Sequence, residues 1–135
     1  MTEDNSFGPH LTIDAKGCNR KKITDMNFIY NFLNQFPSKI NMRKMSLPVV
    51  VPWKDEWSET PGISGFVMIT TSHVSIHTFP DDDHVFFDVF SCRAFDVEKA
   101  KNYILEEFEA KTADVNIVKR GLQFRKKQTV IKETN

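Results

Sequence analysis

Three β-rich runs lie in close succession between Ser64 and Ser91. Ser64 to Thr71 is apolar and rich in strand-forming residues. In Val74 to Phe79, Val74, Ile76 and Thr78 alternate with Ser75 and His77, and Val85 to Ser91 is dense in Phe and Val. Alternation with a period of two marks a strand with one face buried. Asp81-Asp82-Asp83 forms a turn between the second and third runs.

The rest of the chain supplies further strands and two helices. From His10 to Ala15, Leu11 and Ile13 alternate with polar neighbours, a half-buried strand pattern. Lys16-Gly17-Cys18-Asn19 reads as a loop. Thr24 is placed to cap a helix, with Asp25 in its first turn. Phe28, Ile29, Phe32, Leu33 and Phe36 then recur at helical spacing, a core stripe, and Pro37 is expected to end that helix. Ile40 to Val51 reads as a strand interrupted by Pro48 and closed by Pro52. Trp53 to Gly62 reads as a charged loop whose two tryptophans either cover a pocket or pack on a neighbour. Asp96 caps a second helix with Val97, Ala100, Ile104 and Phe108 on one face. A last strand runs from Val115 to Val118. Two helices burying their stripes on one face of a mainly antiparallel sheet make an α+β two-layer sandwich.

Composition narrows the function. The 135 residues are expected to form a single domain, with residues 1–9 and 125–135 as flexible tails. Eighteen basic residues balance eighteen acidic ones, which leaves no footprint for nucleic acid. No run suits a membrane span or a signal peptide. Two cysteines, Cys18 and Cys92, are too few for a disulfide framework and lack metal-motif spacing, so a cytoplasmic protein with reduced thiols and no metal is expected.

The segment GISGFVMITTSHVSIHTFP, followed by FFDVFSC, carries the chemical signal. Taken singly its residues mean little: His77 reads as a packed polar side chain, Cys92 as a small buried one, and Ser64 as a turn residue. Their joint spacing resembles the central pattern of the small pyruvoyl-dependent S-adenosylmethionine decarboxylases: a glycine-rich turn, then Ser-His-x-x-Ile-His-Thr-aromatic-Pro, then a strand ending at Cys. The register agrees without gaps over Ser64, Ser72, His73, His77 and Cys92. PHLTIDAKGC resembles the family's first strand and Gly-Cys turn, so the likeness runs from Pro9 to about Gly121.

The resemblance implies a self-cleaving precursor. The Ser72 hydroxyl attacks the Thr71 carbonyl, the resulting ester is eliminated, and residue 72 becomes a pyruvoyl group. Attack on one's own backbone gains from intramolecular orientation. His77 matches the family's processing base and Ser64 a serine that assists it. The pyruvoyl ketone forms a Schiff base with the substrate amine and accepts electrons as carbon dioxide leaves. Cys92 matches the acid that protonates the carbanion. The resemblance further implies S-adenosylmethionine as substrate, a role in supplying spermidine synthesis, and a homodimer of cleaved protomers with sites near the interface.

The chain departs from the pattern in places. Thr71 stands where the family has Glu before the cleaved serine. Phe79-Pro80-Asp81 replaces Trp-Pro-Glu, so the expected substrate-contacting carboxylate is Asp81, one methylene shorter. Arg93 replaces the Gly after the cysteine, as a surface charge or as a new group near substrate. Trp57 lies near the family's adenine-stacking aromatic, although strict register puts Ser58 there. Two alternatives stay open: a decarboxylase of arginine or ornithine, and an uncleaved homologue with a binding or regulatory role, for which Thr71 speaks.

Overall fold

The computed structural model describes residues 6–124. The three runs form β3 (Gly62–Ile69), β4 (Ser72–Phe79) and β5 (His84–Phe90), an antiparallel meander. The first strand, β1 (Gly8–Lys16), pairs with β5 on one side and with β6 (Thr112–Arg120) on the other, antiparallel both times. An edge strand, β2 (Val49–Trp53), pairs with β3. The sheet order is β2-β3-β4-β5-β1-β6. The helices are α1 (Arg20–Ile23), α2 (Met26–Lys39) and α3 (Val97–Phe108).

Strand alternation sorts the residues onto two faces. On one face Leu11, Ile13, Val67, Ile69, Val74, Ile76, Val85, Phe87 and Val89 are buried under the helices. Phe32 and Phe36 of α2 meet Phe87 of β5 with ring centroids 5.8 and 5.2 Å apart, and Phe32 meets Phe108 of α3 at 4.8 Å. These rings join both helices to the sheet. Gly65 permits the close approach of α2, because a Cβ there would stand 2.8 Å from Leu33 Cδ1.

The other face carries no helix. Val49, Val51, Phe66, Met68, Phe86 and Val118 are exposed large apolar side chains, and the strand registers put them on the same side of the sheet. A patch of this kind is unusual for a chain that stays alone in water.

Several sequence expectations need correction. Asp25, not Thr24, caps α2: its side chain accepts from the Asn27 and Phe28 N–H groups at 2.9 and 3.2 Å. Thr24 instead closes α1, a short helix the sequence pattern does not mark, and donates its hydroxyl to the Arg20 carbonyl at 2.8 Å. Pro37 lies inside α2, which runs on to Lys39. In a last turn a proline removes one hydrogen bond while its fixed φ remains helical. The strand expected from Ile40 starts only at Val49, and Pro52 sits within it, tolerated because β2 is an edge. Gly8 and Pro9, expected in the N-terminal tail, belong to β1. The other expected tail, residues 125–135, lies outside the described residues. The final strand is longer than Val115–Val118, and its register with β1 runs from Lys16–Thr112 to Gly8–Arg120. No helix among the described residues is long and apolar enough to cross a membrane.

Candidate active site

Thr70 and Thr71 form the two-residue connection between β3 and β4, with Ile69 paired to Ser72. Ser72 is buried, and its Oγ accepts a hydrogen bond from the Cys92 N–H at 2.8 Å. The Cys92 thiol reaches back to the Thr70 carbonyl at 3.4 Å. The end of β5 therefore folds against the β3–β4 turn. A Ser91 hydroxyl that donates to the Arg93 carbonyl and accepts from the Arg93 N–H bends the chain there. Burial pushes the Cys92 thiol up, but hydrogen bonding with Thr71 and Ser72, its own backbone N–H and the Arg93 charge outweigh it. The net effect holds the thiol below its ordinary pKa. Arg93 also donates to the Asn41 carbonyl at 3.2 Å, tying this end of the sheet to the residues after α2. Both cysteines are free thiols, Cys18 buried and Cys92 partly exposed.

Ser64 and His77 are cross-strand partners on the helix-free face, with Oγ 2.7 Å from Nδ1. If Nδ1 carries the proton, Ser64 accepts it and Nε2 is left free to act as a base. His77 stands five residues beyond Ser72 on β4, about 16 Å along the strand. The family resemblance links these residues to Ser72 by role, and the structure does not bring them together within one chain.

Asp81 and Trp57 form a third group at the far end of β4. Asp81 follows Phe79, which lies about 23 Å from Ser72 along the strand. The Asp81 carboxylate accepts from the Glu59 and Thr60 N–H groups at 2.8 and 3.0 Å, and these bonds hold it below the usual carboxylate range. It anchors the loop that presents Trp57, a residue 81% exposed. Asp55 shapes the same loop by accepting from the Trp57 N–H at 2.9 Å and the Ser58 hydroxyl at 2.8 Å. Trp57, Asp81, Trp53 and Phe79 border one depression of about 340 Å³.

Sequence reasoning missed a polar cluster on the helix-free face. The Asp88 Oδ2 lies 2.5 Å from His10 Nε2 and 3.2 Å from His73 Nε2, and Oδ1 accepts from the Ser75 hydroxyl. Arg120 approaches the other ring nitrogen of His10 at 3.3 Å. Arginine only donates, so it favours the tautomer in which His10 Nε2–H donates to Asp88. That proton opposes a metal ion at Nε2, although the two imidazoles and the carboxylate lie close enough together to hold one. Burial raises the Asp88 pKa, but the bonds from Ser75, His10 and His73 outweigh burial and leave it lowered. The available signal was strand parity: positions 10, 73 and 88 fall on one face of β1, β4 and β5 once their pairing is known. His73, Ser75, Asp88, Ser64 and His77 border a depression of about 620 Å³ on this face.

The architecture is shared with a known decarboxylase. The crystal structure of the adenosylmethionine decarboxylase from Aquifex aeolicus aligns with a TM-score of 0.70, over 87% of this chain and 92% of that one, at 26% identity. The family model described as S-adenosylmethionine decarboxylase matches residues 9–121. An S-adenosylmethionine decarboxylase proenzyme of Pyrococcus furiosus is 35% identical over 119 residues, which is 87% of this chain and 81% of the relative. A protein of the same description from Clostridium botulinum is 29% identical over 115 residues, 84% of this chain and 94% of the relative. The chain belongs to the S-adenosylmethionine decarboxylase family.

Proposed function

We propose that this chain is a proenzyme that cuts itself between Thr71 and Ser72 and then decarboxylates S-adenosylmethionine, supplying the aminopropyl donor for spermidine synthesis. Family membership supports the reaction and the substrate. The observation that carries self-cleavage is the buried Ser72 hydroxyl, held at the β3–β4 turn by the Cys92 N–H. That N–H occupies a lone pair of Oγ, leaves the hydroxyl proton to be given up, and stabilises negative charge growing on the oxygen. Nucleophile and carbonyl are neighbours in the chain, so the attack is intramolecular.

Position 72 suits a pyruvoyl group. It opens β4, so a new chain end there stays in register beside Ile69, with Cys92 next to it. The ketone would supply an electron sink for loss of carbon dioxide. Cys92 holds a proton on Sγ for delivery to the substrate carbon, and its lowered pKa brings both protonation states nearer to working pH.

A base for Ser72 must come from elsewhere than the same chain's His77. We infer that a second copy supplies it. Two helix-free faces packed about a two-fold axis would set the Ser72 end of one β4 over the His77 end of the other. The exposed apolar residues on that face support this packing. In the same way Asp81 and Trp57 of one copy would serve the pyruvoyl group of the other.

The test is the intact mass of the purified protein, followed by carbon dioxide release from carboxyl-labelled S-adenosylmethionine, arginine and ornithine. Fragments 1–71 and 72–135, the second without a free amine, with release only from S-adenosylmethionine, are expected. Release from arginine or ornithine alone would overturn the substrate, and an intact chain that binds without turnover would point to a regulatory homologue.

A further inference from the structure

Thr71 holds a backbone conformation that suits its side chain badly. Its φ is +52°. Asn41, Asp83, Glu109 and Gln123 also have positive φ among the described non-glycine residues, and Thr71 is the β-branched one. Branching at Cβ crowds the left-handed region, where such a residue is an outlier. Such a conformation persists only where the surroundings over-determine it. Here the Ile69–Ser72 pairing closes the turn, the Thr70 N–H bonds the Arg43 carbonyl at 3.2 Å, and Cys92 grips both Ser72 and Thr70.

We propose that the strain at Thr71 drives cleavage of the bond that follows it, so that the residue type at position 71 sets the rate of self-processing. This rests on the self-cleavage reading above. In the first step Ser72 Oγ gives up its proton to a base and bonds to the Thr71 carbonyl carbon. The Thr71–Ser72 C–N bond then breaks, and a proton goes to the nitrogen that leaves. The product is an ester and a free amine, with no change of oxidation state. In that ester the chain runs through Oγ and Cβ of Ser72, a longer path than the amide. The extra length relaxes the two-residue turn, and Thr71 is free to leave positive φ. Strain present in the amide and absent from the ester lowers the barrier between them.

Two measurements test this. In a Ser72→Ala background, which cannot cut itself, adding Thr71→Asn should raise the thermal midpoint by a few degrees, because asparagine tolerates the left-handed region. With Ser72 present, cleavage of newly made chain is followed by cell-free translation and gel shift. Thr71→Asn should slow it about tenfold, a barrier change of about 1.4 kcal/mol. Thr71→Val keeps the branching and removes the hydroxyl that donates to the Thr70 carbonyl and bonds with Cys92, so it should cut clearly faster than Thr71→Asn does. Asparagine cutting as fast as threonine, or giving no rise in thermal midpoint, would overturn the proposal while leaving self-cleavage intact. A parental chain that never cuts would overturn both.

Discussion

Cys92 and Asp88 show how single groups are tuned by what surrounds them. Cys92→Ala keeps the backbone N–H on Ser72 but loses the thiol's hold on Thr70, so the chain should still cut itself, more slowly, while turnover falls by about 10²-fold or more, the worth of a positioned acid. Gel analysis and a carbon dioxide assay on one preparation check both halves. Unchanged turnover would remove Cys92 from the role of proton donor. At Asp88 the argument concerns stability. Its folded pKa lies below the ordinary carboxylate value, so its contribution is present above about pH 4 and lost as pH falls through the folded pKa. Asp88→Ala strands the His10, His73 and Ser75 donors and should cost about 1–3 kcal/mol at pH 7. Urea titrations from pH 3 to 7 should show the gap between parent and variant narrowing on the acid side. A gap independent of pH would mean the charge is not involved.

Among the elements, α2 packs on the sheet next to the site's strand. It lies over the sheet through Phe32, Leu33 and Phe36, and reaches β3 where Gly65 leaves space. Phe36 is fully buried against Phe87, so Phe36→Ala should cost about 3–5 kcal/mol by chemical denaturation. A loss near 1 kcal/mol would indicate that neighbours collapse into the space. The strands set a different constraint. At about 3.3 Å per residue, β4 keeps Ser72, His77 and the Phe79–Asp81 end apart in a fixed line. No side-chain rotation closes such gaps.

At the scale of the whole molecule that line makes a prediction about assembly. A chain with Ser72→Ala cannot be cut, and a chain with His77→Ala should lack its base. If the proposed shared site holds, co-expression should give mixed dimers in which the Ser72 of one faces the His77 of the other. The His77→Ala chain should then be cut, although each variant alone stays whole. No cutting in the mixture would place base and nucleophile in the same chain and overturn the shared site.

Local sequence determined the strands, the two long helices and the layer they share, because period-two and helical patterns report which side chains must leave water. By resemblance to the family pattern it also singled out Ser64, Ser72, His77 and Cys92 as candidates. Its errors fell where neighbouring residues competed for one task, as with Thr24 and Asp25, or where context excused a proline, as with Pro37 in a last turn and Pro52 on an edge. Distance between site residues was not legible, since five positions apart means adjacent turns on a helix and about 16 Å on a strand. The His10–His73–Asp88 cluster was equally hidden, because it exists only through the order in which β1, β5 and β4 pair. The left-handed backbone of Thr71 belongs with these. Its own side chain disfavours that conformation, and only the paired strands, the Arg43 carbonyl and Cys92 hold it there.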